Sequence, residues 1–264
     1  NFLRGMGHGE FVRPHGIEID KDDNIYVVDD DGHFVQKRDN DGSVLFTIGN
    51  KNKPCKWQSG GIFNRPTDIA IHPETGELFV SDGYGNSRVH KFDRDGNHIL
   101  SWGVPGSDPG EFSLPHNITM IGLDRIAVCD RENFRLQIFD LDGKFLKQIH
   151  LHHPMSITQG KFGDDRLYVG EMIPPPVQQG VPNLGAKVSI LTPEGDMLQQ
   201  IGDKLPGEGL WQFTSPHGIS TDSEGSIYVA EVAWTNYFSR PDNSGLDSTP
   251  LGEVVSLRKW KRIT

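Results

Sequence analysis

The chain has 264 residues, 35% of them hydrophobic, and a formal net charge of −10. No apolar run approaches the roughly eighteen residues of a membrane span, and Arg258 to Arg262 holds the one basic cluster, so neither a bilayer nor a phosphate backbone is an expected partner. Cys55 and Cys129 are too few for a disulfide framework and lack the spacing of a zinc or redox motif, while 31 glycines and 17 prolines scattered along the chain mark a turn-rich protein.

Taken in chain order, the opening NFLRGMG matches the outer, fourth strand of a repeat, as do VLFTIG and HILSWG further on. GEFVRPHGIEID then runs into IYVVD and VLFTIG. GIFNRPTDIAIH leads to LFVSD, RVHKFD and HILSWG, and GEFSLPHNITM to IAVCD, LQIFD and FLKQIH. HPMSITQ leads to LYVGE, KVSIL and MLQQIG. The fifth copy, QFTSPHGISTD, leads to IYVAE and EVVSLRKW and lacks a fourth strand. The strands are short, rich in β-branched and aromatic residues, and bounded by turns such as Asp95-Gly96 and Asp142-Gly143. Four strands in every roughly 40 to 50 residues is the spacing of propeller blades, whereas β-solenoids have shorter coils. The expectation is an all-β, single-domain propeller over residues 1–264.

Two closures are open: NFLRGMG completes the fifth repeat in a five-bladed ring, or it ends a sixth blade whose other strands lie upstream. The histidines favour six blades. His15, His116 and His217 each follow a proline at the same position of the first, third and fifth repeats, at equal intervals of 101 residues. Thr67 and Met155 stand there in the repeats between. In a six-bladed ring, alternate blades stand about 120° apart, so three equivalent side chains converge on the axis. Three neutral imidazoles with one open position suit catalytic zinc. A bland alternative makes Pro-His a turn preference of the repeat, but no other histidine shares the register. Asp29, Asp82, Asp130, Glu171 and Glu231 end the second strand of each repeat. They are expected to satisfy backbone amides in the turn that follows, with Glu171 and Glu231, which precede long loops, also candidates to line a pocket.

The three Pro-His turns, with FNRPTDIAI, SDGYGNSRV and CDRENFRLQIF, resemble the NHL-repeat propeller of the peptidyl-α-hydroxyglycine α-amidating lyases and their prokaryotic relatives, across all five repeats. That resemblance implies a six-bladed propeller, here with one blade incomplete, whose three histidines hold zinc and which splits a carbinolamide into an amide and glyoxylate. On it, His15, His116 and His217 are the zinc ligands, Tyr84 of DGYGNSR the catalytic tyrosine and Arg131 of CDREN an active-site arginine. In animal members an Asp that follows the third histidine belongs to a calcium site; Gly218 stands there here, which leaves calcium without that ligand. Gly85 replaces a cysteine of the family's disulfides, and Cys129 sits two places from the other pattern. A further catalytic arginine of the family belongs to the part of the first blade that precedes Asn1.

The chemistry agrees with the residues. A metal on a substrate hydroxyl acidifies it, a phenol takes the proton, and a guanidinium holds a carboxylate at two points. Against this, Tyr84 also suits a blade cap and Arg131 a pair with Glu132. The long loops MIPPPVQQGVPNLG and WTNYFSRPDNSGLDSTPLG point to a small-molecule substrate as readily as a peptide. A metal-dependent hydrolase or hydratase on the same histidines, and a non-catalytic interaction propeller, are the competing functions. Compartment and oligomeric state stay open.

Overall fold

The computed structural model describes residues 4–174, 176–178, 181, 183–235 and 254–262. Five antiparallel sheets follow one another along the chain, each a simple meander. The first holds β1 (Pro14–Ile19), β2 (Ile25–Asp29), β3 (Phe34–Arg38) and β4 (Val44–Gly49), and the second β5 (Asp68–Ile71), β6 (Leu78–Asp82), β7 (Arg88–Phe92) and β8 (His98–Trp102). The third holds β9 (Pro115–Ile121), β10 (Arg125–Asp130), β11 (Arg135–Asp140) and β12 (Phe145–His150), and the fourth β13 (Pro154–Gln159), β14 (Leu167–Glu171), β15 (Lys187–Leu191) and β16 (Met197–Ile201). The fifth holds β17 (Pro216–Thr221), β18 (Ile227–Glu231) and β19 (Leu257–Trp260). The five repeats are therefore five blades.

The chain divides into two compact units, residues 1–133 with 137–148, and residues 134–136 with 149–264. Within the first unit, Val28, Val35, Phe63, Leu78 and Val80 form one fully buried layer, and Phe79, Val89, Phe112, Ile126 and Val128 form the next. In the second unit Tyr168, Val188, Phe213 and Val229 do the same. Each layer is built from period-two side chains of adjoining blades, plus the aromatic three residues before the repeat's proline (Phe63, Phe112, Phe213).

The reading of NFLRGMG as a strand does not hold for its described part. Arg4 to Gly7 is not in a strand; the Arg4 guanidinium instead donates to Asn40 Oδ1 at 2.7 Å, at the turn between β3 and β4. Residues 1–3, most of the fifth repeat's long loop and parts of the fourth's lie outside the described residues.

The strand-ending acids hold each blade's entry. Asp29 accepts the amides of Val12 at 2.6 Å, Arg13 at 2.9 Å and Gly32 at 2.8 Å. Asp82 accepts Asn64 N, Asp130 accepts Ser113 N, Glu171 accepts His152 N and Glu231 accepts Ser215 N, at 2.8 to 3.0 Å. All five are buried. Glu171 and Glu231 are thus amide acceptors like the rest, and Glu231 also receives Arg258 Nε at 2.9 Å. In the second blade the line continues outward, His90 Nε2 lying 3.2 Å from Asp82 Oδ2 and His90 Nδ1 2.7 Å from Ser101 Oγ.

Replacing Asp29 with Ala takes the acceptor from the amides of Val12, Arg13 and the buried Gly32, and the expected loss of stability is about 2 kcal/mol, the scale for hydrogen bonds to a charged group. Urea denaturation checks this, and a loss under about 1 kcal/mol contradicts the assigned role.

Candidate active site

The first strand of four blades starts with the same irregularity. Pro14 opposes Asp29 while Gly16 opposes Val28, which leaves His15 as an inserted residue. His217 is inserted in the same way between Pro216 and Gly218, opposite Glu231 and Ala230, and Met155 between Pro154 and Ser156. In the third blade Pro115 opposes Asp130 and Ile118 opposes Val128, so His116 and Asn117 share one bulge. A bulge turns its side chain away from the alternation of the strand. Proline before it and the clamped amides before that fix where the turn occurs.

In the first unit this brings His15, His116 and Tyr84 together. The two imidazoles stand 4.9 Å apart, and the Tyr84 hydroxyl lies 3.2 Å from Nε2 of each. His15 Nδ1 is 2.7 Å from the Thr67 carbonyl, which only accepts, so Nδ1 carries the hydrogen and Nε2 the lone pair. His116 Nδ1 lies 2.6 Å from Asn117 Oδ1, with the same consequence. Two nitrogen lone pairs and a phenolic oxygen thus face one another with a single hydrogen among them. Such a set is a fit for a cation, and carbonyl or amide oxygens on the far ring nitrogens are what metal-bound histidines have. Burial lowers the pKa of His15, the hydrogen bond that its Nδ1–H donates to the Thr67 carbonyl opposing it less strongly.

Thr67 has the repeat position that is histidine in the blades on either side. Its carbonyl holds His15, and its hydroxyl lies 3.1 Å from the Pro115 carbonyl, beside His116. Gly83, ahead of Tyr84, is required by close approach: a Cβ there would lie 1.7 Å from the Pro115 carbonyl oxygen. In the second unit, Ser156 Oγ donates to the Pro216 carbonyl at 3.0 Å, one residue before His217, which is half-buried. His217 thus stands in the second unit at the repeat position that His15 and His116 hold in the first.

Arg131, on a 3₁₀ turn after β10, places its guanidinium 5.8 Å from the centre of the Tyr84 ring and donates to Glu132 at 2.8 Å. Two arginines that the sequence reading passed over flank the same ring, Arg65 at 4.6 Å and Arg13 at 5.7 Å. Their signal was present: both directly precede the repeat's proline, as Leu114, His153 and Ser215 do in the other blades. Arg65 takes a left-handed conformation to do so, with φ of 67°. Both are tied to the buried Asp30, Arg13 Nε at 2.6 Å and Arg65 Nη2 at 3.2 Å. Beside Tyr84 opens a depression of about 500 Å³, lined by Trp57, Phe112, Leu114, Gly83 and Glu132.

Comparison with known proteins bears on this site. Residues 63–92 match the NHL repeat family. Peptidylglycine alpha-amidating monooxygenase of Rattus norvegicus is 33% identical over 87% of the chain, and the chain spans 24% of that protein. Peptidyl-alpha-hydroxyglycine alpha-amidating lyase 2 of Drosophila melanogaster is 36% identical over 89% of the chain, which spans 56% of it. The chain therefore spans a quarter to about half of the length of these relatives. Among solved structures, the WD40 beta propeller domain of Doa1 aligns with a TM-score of 0.56 at 13% identity, over 81% of this chain and 59% of that one, a likeness of fold alone. No helix among the described residues is long and apolar enough to cross a membrane.

The Asp30 clamp carries a pH signature. Burial works against its ionisation, but the hydrogen bond from Arg13 and the charges of Arg13 and Arg65 outweigh it, so the folded pKa lies below the ordinary 3.8. Asp30 therefore stabilises the fold above the unfolded pKa, and the contribution fades as pH falls through the lower folded one. Asp30→Asn should lower the unfolding free energy at pH 7, with the deficit against wild type shrinking below about pH 4. A deficit that stays constant from pH 7 to pH 3 argues against the clamp.

Proposed function

Because the chain is an NHL-repeat propeller that resembles the peptidyl-α-hydroxyglycine α-amidating lyases along most of its length, we propose that it is a metal-dependent C–N lyase acting on an α-hydroxy-amide, small-molecule or peptide-like. The observation that carries this reading is the meeting of the Nε2 atoms of His15 and His116 with the Tyr84 hydroxyl, 3.2 Å from each, under three guanidinium groups. His217 is the third ligand on this reading. Its support is the spacing of 101 residues and the shared bulge after proline. The same spacing supports a six-bladed propeller in which residues 1–264 form a single domain with one blade incomplete, because only alternate blades of six are related by a three-fold axis. Zinc is the proposed ion, since three neutral imidazoles are its common catalytic donor set, whereas calcium takes oxygen ligands.

When bound, the ion supplies a Lewis acid that makes the substrate hydroxyl more acidic. The protein's own groups do the rest. As the phenolate, its own hydrogen given up to solvent when a cation occupies the site, Tyr84 receives the hydroxyl proton, the C–O electron pair closes to a carbonyl, and the C–N bond breaks. The proton returns to the departing nitrogen, so the products are an amide and, from an α-hydroxyglycine, glyoxylate. Arg131 offers a carboxylate a two-point contact, with Arg65 and Arg13 adding positive charge on the same side of the ring. The depression beside Tyr84, with the exposed Trp57 at its rim, accommodates the acyl portion on the nitrogen side.

An N-acyl-α-hydroxyglycine incubated with zinc-loaded protein should release glyoxylate and the amide in equal amounts, with loss of the reaction on chelation and recovery on adding zinc back. Tyr84→Phe should keep the metal and lower turnover by roughly a hundred-fold or more, the scale for a positioned acid or base. Arg131→Ala should raise KM more than it lowers kcat. Full activity of Tyr84→Phe with metal retained removes this mechanism and favours water activation by the ion, a hydrolase or hydratase. No turnover by metal-loaded wild-type protein on a panel of α-hydroxy-amides removes the lyase reading.

A further inference from the structure

We propose that Asp68 is a positioning residue for His116 and acts through the side-chain amide of Asn117; the consequence for metal binding rests on His116 being a ligand. Asp68 opens β5 in the second blade and is buried. Asn117 follows His116 on β9 in the third. Asp68 Oδ2 accepts two N–H groups, Asn117 Nδ2 at 2.8 Å and Ile118 N at 3.2 Å. An oxygen that receives two donors is an acceptor whether the carboxyl is ionised or protonated, so only the NH₂ side of the Asn117 amide can face it. That turns Oδ1 of Asn117 to His116 Nδ1, 2.6 Å away.

The orientation matters because an amide has two faces of similar shape. An unheld Asn117 could rotate and present NH₂ to Nδ1, which moves the ring hydrogen to Nε2 and puts an N–H where the lone pair now points at Tyr84. Asp68 removes that alternative. His15 needs no such device, because its Nδ1 meets the Thr67 backbone carbonyl, which offers only an acceptor. Asp68 also touches the neighbouring histidine's strand: a Cβ at Gly16 would lie 2.7 Å from Asp68 Oδ1. One buried carboxyl thus passes close to the residue after each of two histidines, while only His116 depends on it for its tautomer.

The test is ring-nitrogen NMR of metal-free, ¹⁵N-histidine-labelled protein, in which the two neutral tautomers have distinct shifts. Wild type should show His15 and His116 both as the Nδ1–H form. In Asp68→Ala, His116 should move toward the Nε2–H form while His15 stays, and zinc affinity, measured by chelator competition, should fall roughly ten-fold or more, the usual range for losing a partner behind a ligand. Asp68→Asn, which keeps an acceptor oxygen, should restore much of the Nδ1–H form. Asn117→Ala tests the same relay should Asp68→Ala fail to fold. His116 remaining Nδ1–H in folded Asp68→Ala or Asn117→Ala, both histidines shifting together, or unchanged zinc affinity beside a shifted tautomer would overturn the proposal. Since the tautomer is read without metal or substrate, failure of the lyase reading leaves this result intact, and the reverse also holds.

Discussion

Every histidine singled out above owes its position to an acid at the end of the second strand of its own blade. Asp29, Asp130 and Glu231 reach back across the sheet to accept main-chain amides one or two residues before the prolines that precede His15, His116 and His217. A buried carboxylate is costly unless its lone pairs are filled, and a buried loop amide is costly unless it has an acceptor. Each satisfies the other. The loop entering the blade is thereby fixed, and the bulge that follows is fixed with it.

From this constraint the site follows in steps. Proline restricts the residue before the bulge, the bulge turns the next side chain out of the strand's alternation, and the repeat brings that geometry back in successive blades. In the intervening second blade the same position carries Thr67, whose carbonyl and hydroxyl hold the entries on both sides. Alternation of histidine and supporting threonine is therefore written into one repeat position across the first three blades. Tyr84 arrives from a different element, the turn after β6, through the close passage of Gly83 under the Pro115 carbonyl. Around its ring stand Arg13, Arg65 and Arg131, two of them tied to Asp30 and the third to Glu132. Cations held near an aromatic face are themselves attracted to it, so the ring and its guanidinium groups order one another.

Much of this was legible in the chain. Period-two patterning between Gly and Asp turns gave the five blades, and equal spacing after proline picked out the three histidines, because both signals are local and repeat. The strand-ending acids do accept backbone amides, Glu171 and Glu231 included, but chiefly from the loop that enters the blade rather than from the turn that follows. What escaped depended on contacts between blades. Arg13 and Arg65 look like ordinary surface charges until the neighbouring blade sets Tyr84 against them, and Asp68 and Asn117 are 49 residues apart. Arg4 to Gly7 has the composition of a fourth strand, yet its side chains meet the β3–β4 turn, since composition does not say which edge is available to pair with.

His15, His116 and His217 are proposed to bind one metal ion together. The most direct test of that proposal is metal stoichiometry with X-ray absorption on zinc-reconstituted wild type and on each single His→Ala variant. One zinc per chain, with about three imidazole nitrogens at about 2.0 to 2.1 Å, and a loss of tight binding in every variant is the expected result. Zinc bound no more tightly by wild type than by all three variants, or a ligand set without imidazole, would contradict it.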